Sequence, residues 1–478
     1  MLANLHDVPM PATRQGYDLA RTTDDNRKHW AEADNLAAVS SATPGVRTLL
    51  RLRCRYECLN NGYARGLVKT LAGDVVGTGP RLQLHTASGD LNTLVESEWR
   101  EWSDCVGLAQ TLRLMEETRR RDGEVFAIFR RNRQAEEVGL PSVDLRLFEG
   151  DQVAHPWGLS AYGNATGDDG IDCDAAGDVT GYHVLRSHPG DQRWLIDRMR
   201  ADVLSPRDVV HWFQRERPGQ LRGVPELACV MPLFAYLRRM DLATLAREEV
   251  AASLAAVLET DAPPDEGDEW EPFEAFAIRR GMMMSVPAGA RLKQFDTNRP
   301  GASHGAFVDT ILRAIGRACD VPFGIVAGDS SKYNYSSARL DHLIYDQRRK
   351  NDKDAFRTCV LDRLFARFWG ELQLIYPAVM VLAGGSRRLP QRSWHFDARP
   401  SIDPLKEASA DETNLANSTD TETSICAAAG RDIEDVYRER AKERELRAKY
   451  GLPEPRYLTA PKPVVGRPAS VEEVAVNA

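Results

Sequence analysis

The chain has 478 residues, 42 % of them hydrophobic and 28 % charged, an ordinary globular composition that excludes a fibrous chain, a wholly disordered one and a small disulfide-stapled scaffold. Lys plus Arg number 62 against 70 Asp plus Glu, a net charge of −8. That balance excludes a broad basic face that grips nucleic acid by neutralising many phosphates.

Residues 1–45 are polar and carry no apolar core of a secretory leader. Over residues 48–76 the pattern predicts a helix. Leu49, Leu52, Tyr56, Leu59, Tyr63, Leu67 and Leu71 recur at spacings of three and four, with Arg51, Arg53, Arg55 and Lys69 between them. Gly77-Thr78-Gly79-Pro80 stops it. Cys54 and Cys58, one helical turn apart, lack the second half of a metal site, and a structural role is expected of them. Cys105, Cys173, Cys229, Cys319, Cys359 and Cys426 show no C-x-x-C pairing, as expected of reduced thiols. Helical spacing returns at 91–102 and 112–121. Residues 125–129 and 143–148 change to β-formers, and two short strands within 171–185 flank a turn at Asp174–Asp178. The cluster Asp168, Asp169, Asp172, Asp174 and Asp178 lacks the glycine and terminal Glu of an EF-hand loop, which leaves a solvated turn.

Residues 226–258 predict a long helix, with Pro232 at its start or at a kink. Ala243, Ala246, Ala251, Ala252, Ala255 and Ala256 keep it slim enough for close packing, either in one core or against copies of itself. An acidic, Pro-containing loop follows at 261–274, then strands at 281–286 and 291–295. The Met282–Met284 run is expected to pack rather than bind metal. Ser303 starts a helix whose one face carries Phe307, Val308, Ile311, Leu312, Ile315 and Cys319, and Asp320-Val321-Pro322 ends it. A polar loop, Gly328 to Tyr335, leads to a helix capped by Ser336 or Ser337 and running, with a break near Asn351, to Ile375. The most apolar stretch, 372–383, is shorter than the roughly 20 residues that span a bilayer, so no membrane partner is expected. Asp403-Pro404 supplies an N-cap and first-turn proline. A charged helix at 433–450 is closed by Gly451, and the prolines after 453 predict a disordered tail. The fold class is helix-rich α+β.

No G-x-x-x-x-G-K-[ST], H-E-x-x-H or G-x-S-x-G motif occurs, and Gly77-Thr78-Gly79 follows a helix where a dinucleotide fold needs a strand. His155, His183, His188 and His211, with the nearby Asp cluster, are the one constellation a metal-dependent enzyme could use; structural histidines are the better expectation. No catalytic residue, metal or cofactor is expected.

Several ordered stretches together resemble the lambda-type family of tailed-bacteriophage portal proteins. They are Asn60-Asn61-Gly62-Tyr63-Ala64 with Val75-Val76-Gly77-Thr78-Gly79, His211-Trp212-Phe213 with Arg217-Pro218-Gly219-Gln220-Leu221-Arg222-Gly223-Val224-Pro225, Asp320-Val321-Pro322 with Gly328-Asp329 and Asn334-Tyr335-Ser336-Ser337-Ala338-Arg339, and Ile402-Asp403-Pro404-Leu405-Lys406-Glu407. The resemblance covers roughly residues 17–450. It implies a ring, typically of twelve subunits, at one capsid vertex, which nucleates the shell and conducts double-stranded DNA without sequence specificity. Its implied partners are the terminase large subunit, a head-completion or tail-joining protein, and capsid and scaffolding proteins. The implied location is the virion, and the host cytoplasm during assembly.

The resemblance further implies a polar arm at 1–45, an α+β wing at 46–225, stem helices at 226–258 and 303–320 around a clip at 259–302, and a channel loop at 321–337. A helix returning to the wing (338–400), a helical crown (401–451) and a disordered tail (452–478) complete it. Lys332, Tyr333 and Asn334 become candidates for facing the moving DNA, and Ala243, Ala246, Ala252 and Ala255 for packing between subunits. The competing readings are a soluble metal-dependent enzyme built on the wing His and Asp residues, and an oligomeric adaptor that conducts no DNA.

Overall fold

The computed structural model describes residues 24, 27–31, 33–155, 166–191, 200–253, 257–260, 290–293, 302–331, 334–385, 388–398 and 403–453. The expected acidic loop at 261–274, the strand at 281–286, Lys332, Tyr333, Ala255 and the tail from 454 lie outside the described residues.

A one-turn helix α1 (Ala38–Ser41) leads into α2 (Pro44–Asn60), which Thr43 caps. The helix expected over 48–76 is in fact two. Asn61 is extended at φ −127°, and its Oδ1 accepts the N–H groups of Tyr63 and Ala64 to start α3 (Gly62–Val76). An N-cap asparagine satisfies donors that a helix start leaves orphaned, so the break costs little although the apolar spacing runs through it.

β1 (Arg81–Leu84), α4 (Gly89–Cys105) and α5 (Leu108–Asp122) follow, then β2 (Glu124–Arg131), α6 (Arg133–Glu137) and β3 (Val143–Glu149). β4 (Thr166–Asp168), β5 (Ile171–Cys173), β6 (Val179–Leu185) and β7 (Ala201–Leu204) form an antiparallel sheet in chain order. β8 (Val209–Phe213) returns to β2, giving the antiparallel order β3-β2-β8. In the β5–β6 turn the Asp174 carboxylate accepts the N–H groups of Ala176 and Asp178, each at 2.9 Å. The acid is thereby spent on turn geometry.

α7 (Met231–Ser253) is shorter at both ends than the helix expected over 226–258. A 3₁₀ turn at Ala228–Val230 precedes it, and Val257 already belongs to β9 (Val257–Thr260), paired antiparallel with β10 (Ala290–Lys293). α8 (Ala302–Ala318) and the short α9 (Phe323–Ala327) come next. α10 (Tyr335–Phe356) is unbroken at Asn351; a π turn at Arg357–Leu361 carries it into α11 (Asp362–Ile375). α12 (Pro377–Leu382) is followed by β11 (Arg392–His395), which pairs with β1, and by α13 (Pro404–Ala416), α14 (Glu422–Ala428) and α15 (Ile433–Lys449). The architecture is helix-rich α+β.

One core packs α4, α5, the β3-β2-β8 sheet and α11 around aromatics. The Trp99 ring lies 4.8 Å from Trp102, 5.0 Å from Phe368 and 5.1 Å from Trp394. A second is helical and joins α3, α7, α8 and α9 through Leu67, Leu71, Phe234, Leu237, Leu312, Ile315 and Val326. A smaller third lies between the two larger sheets, around Phe126, Ile171, Tyr182 and Val209.

α2 is inverted relative to its sequence pattern. Arg47, Arg51, Cys54, Glu57 and Cys58 face inward, whereas Leu49, Leu52, Tyr56 and Leu59 are 47, 56, 53 and 73 % exposed. Apolar periodicity locates a helix face but does not say which face the core takes, and here buried carboxylates take the arginine face.

Candidate functional site

The loop between α9 and α10 stands on a rigid base. α8 ends where the Val321 N–H donates to the Gly316 carbonyl at 2.8 Å, and Asp320 adopts a left-handed φ of 47°. A Cβ on Gly316 would lie 2.6 Å from the Val321 oxygen, so only glycine permits this closure. Val321, Phe323 and Val326 are buried, and the Arg313 guanidinium stacks 4.4 Å over the Phe323 ring. The polar part therefore begins at Gly328, and the first half of the expected 321–337 loop is its anchor. The Asp329 Oδ1 accepts the Ser331 N–H at 2.8 Å. Asn334 begins α10 through a capping box: its side chain accepts the Ser337 N–H at 2.8 Å and its own N–H reaches the Ser337 hydroxyl. The cap is thus Asn334, one of the three expected DNA-facing residues, and not Ser336 or Ser337.

α7 enters the second core with Phe234 and Leu237 fully buried. From Asp241 to Glu249 no side chain is buried; Ala243 and Ala246 are exposed, and Leu242 and Leu245 are 59 and 58 % exposed. Ala252 lies on the same helix.

The 217–225 motif builds a buried charge centre. Arg222, 1 % exposed, donates to the Glu124 carboxylate through Nε at 3.0 and 2.9 Å and through Nη2 at 2.6 Å, and to the Gly150 and Val153 carbonyls at 2.8 and 3.0 Å. Glu124 also accepts from Arg51 at 3.1 Å, His211 at 3.1 Å and the Gly223 N–H at 2.9 Å. Burial pushes its carboxyl up, and the Arg222 charge with these hydrogen bonds overcomes that and holds it well below the ordinary value. Gly223 and Gly123 make room for the crossing: a Cβ on Gly223 would sit 2.2 Å from the Gly123 oxygen.

A second centre joins α5 to the segment before α7 and to α10. Arg120 pairs with Glu116, Glu226 and Asp352 at 2.7–2.8 Å, and Arg348 joins Glu226. Glu116 also accepts the Trp212 Nε1–H at 2.6 Å. Arg47 pairs with Asp169, and Arg55 with Asp122 and Asp151. Arg222, Gly223, His211 and Trp212 lay in quoted motifs and Arg51, Arg55 and Asp169 were named without a partner, whereas Glu116, Glu124, Arg120, Asp122 and Asp352 did not stand out in the sequence. The recurrence of Arg47, Arg51 and Arg55 every four residues was the available signal, since that spacing puts three cations on one helix face.

Among the described residues, two trios bring possible metal-ligand atoms within 4.8 Å of one another: His155/Asp172/His183 and Glu149/Asp151/His188. In the second, Arg51 and Arg55 already hold the carboxylates. In the first, His155 Nδ1 accepts the Gly170 N–H at 2.9 Å, so its proton sits on Nε2, which faces Asp172 at 3.4 Å. His183 faces the other Asp172 oxygen at 2.7 Å. A metal-ligating histidine donates from its second nitrogen, whereas His155 accepts there; the donors fit a carboxylate bridging two imidazoles. His211 is committed to Glu124. Burial pushes the Cys54 and Cys58 thiols up to about 12 and about 11, away from the thiolate a metal requires. No helix among the described residues is long and apolar enough to cross a membrane.

The chain is similar to several known proteins. A probable portal protein of Halomonas phage phiHAP-1 is 24 % identical over 477 residues, covering 93 % of this chain and 89 % of the relative. Among solved structures, a chain from the virion of a native gene transfer agent particle is 14 % identical, with a TM-score of 0.45 over 86 % of this chain and 99 % of that one. A chain from the neck of a native particle of that kind, computed with C12 symmetry, gives 0.42 at 14 % identity over 81 % of this chain and 94 % of that one. Residues 25–351 match the family described as phage portal protein, lambda family, and the chain belongs to that family.

Proposed function

We propose that the chain is the subunit of a portal ring, of twelve copies, at one vertex of a phage-like capsid, through which double-stranded DNA is packaged and ejected. In this reading the ring meets capsid and scaffolding proteins during assembly in the host cytoplasm, the terminase large subunit during packaging, and a tail-joining protein in the finished virion. Residues 46–225 serve as the wing, α7 and α8 as stem helices around a clip at 259–302, 338–400 as the return to the wing, and the C-terminal helices as a crown.

Beyond family membership, the observation that carries the reading is the outer half of α7. A helix that exposes Leu242, Ala243, Leu245 and Ala246 from Asp241 onward has an apolar surface that the described residues leave uncovered, and small residues allow neighbouring copies to approach. Ala243, Ala246, Ala252 and Ala255 are the packing positions of this reading. Lys332 and Tyr333 meet the DNA, and Asn334 holds the end of their loop.

Negative-stain electron microscopy of the purified protein tests it. Rings with a central hole are expected; a monodisperse monomer under all assembly conditions overturns the reading.

A further inference from the structure

Besides the outer half of α7, two further apolar patches are exposed among the described residues. One is the outward face of α2, where Val46, Leu49, Leu52, Tyr56 and Leu59 are 42–73 % exposed. The other is the α11–α12 corner, where Leu374 and Val381 are 83 and 76 % exposed and Ile375 and Leu382 each 39 %. The α2 face is held outward by force of charge. Arg47, Arg51 and Arg55 are tied on the inner side to Asp169, Glu124 and Asp122, so the helix cannot roll its leucines into the core without breaking buried ion pairs. A helix with charge inside and leucine outside is the reverse of what water favours, unless the outer face is covered as well.

We propose that the α2 face of one copy packs on the α11–α12 corner of the next copy around the ring. This assignment rests on the ring reading above and names one of its contacts. A closed ring is made by two different patches on each copy, repeated about an axis, and these two are separate: α2 packs on α5, α5 on α4, and α4 on α12. Their chemistry matches. No charged residue occurs from Leu372 to Gly385, and Arg53 is the one exposed charge on the outward face of α2. With one exposed cation between them, the two patches are suited to an apolar partner rather than to a phosphate-rich or strongly acidic one. The α2 stripe is about 20 Å long at 1.5 Å per residue, too small to supply by itself the roughly 800 Å² per partner of a stable pair. That size suits one contact among several in a ring rather than a free-standing dimer.

The test uses the full-length protein. Leu52→Asp/Leu59→Asp and Leu374→Asp/Val381→Asp alter side chains that are exposed in the single chain, so each variant keeps the parent's melting curve as a monomer. Loss of the ring peak in sedimentation velocity is expected for both. In a second measurement, Leu52→Cys/Val381→Cys rings treated with a short bismaleimide give a ladder of covalent multimers above the parent background, and neither single cysteine variant does. Rings at parental yield in either Asp variant overturn the proposal, as does the absence of a ladder from assembled rings. Dimers from Leu52→Cys alone overturn it by showing a self-contact of α2. A parent that never assembles overturns the ring reading itself, an outcome distinct from parental rings that tolerate the substitutions.

Discussion

Glu116 and Glu124 are carboxylates without solvent exposure that arginines keep ionised. Burial raises the Glu116 carboxyl, and Arg119 and Arg120 more than offset it, bringing it from 4.5 down to about 2; Glu226 is lowered by the same competition. Burial also lowers His211, against the pull of its Glu124 hydrogen bond. The sign is the same for all these groups. A pKa lower in the folded chain than in the unfolded one gives stability that is complete above the unfolded value and lost as pH falls through the folded one. The contribution of these groups to unfolding free energy should therefore be complete near neutrality. Between pH 7 and 4.5 Glu96, raised to about 7 by burial, works in the opposite direction to His211, so the steep net fall comes below 4.5 as Glu116, Glu124 and Glu226 approach protonation. Urea midpoints between pH 7 and pH 3 check this, and a flat profile contradicts it. Little of this was legible in the sequence. Arg51 sits in the polar phase of an apolar repeat, where a solvated role is the ordinary expectation. Its partner Glu124 is 73 residues away, beyond any local pattern.

Elements were legible where periodicity was uninterrupted and opaque where a single residue reset it. The β5–β6 hairpin and the apolar face of α8 follow directly from alternation and helical spacing. The π turn at Arg357–Leu361 does not: it adds a residue to the helical repeat, so that Phe356 and Val360 share a core with Leu364 and Phe365. The α2–α3 junction is equally hidden, because Asn61 sits inside an unbroken run of three- and four-residue spacings. Its side chain does two jobs, accepting the first N–H groups of α3 and donating from Nδ2 to the Phe234 carbonyl on α7 at 3.2 Å. Asn61→Ala removes the cap and the tie together and should cost about 1–2 kcal/mol. Asn61→Asp keeps the cap acceptor and loses only the donor, so it should fall between. Thermal melts of the two variants read the difference, and an alanine variant as stable as its parent would remove the cap from the account.

On the scale of the whole molecule, the net charge of −8 excludes a broad phosphate-binding face and is also what a conduit for DNA requires. In the proposed ring the same excess of acid is repeated on every copy, and acid facing the channel would repel phosphates and keep a passing duplex from being held. Under that field a cation in the proposed channel loop would have disproportionate influence, since it would be a local exception to repulsion on every copy at once. In the proposed ring that cation is Lys332, between the loop's base at Gly328 and the Asn334 cap. Lys332→Ala removes charge from a segment flanked by exposed Ser331 and Asn334, so it should leave ring yield and melting temperature unchanged. Particles carrying it should package or retain less DNA, measured as the ratio of full to empty heads and as DNA released on standing. The loss should persist in Lys332→Gln and be largely restored in Lys332→Arg, because the contact depends on charge. Normal DNA retention in all three variants would assign the loop a purely connecting role between α9 and α10.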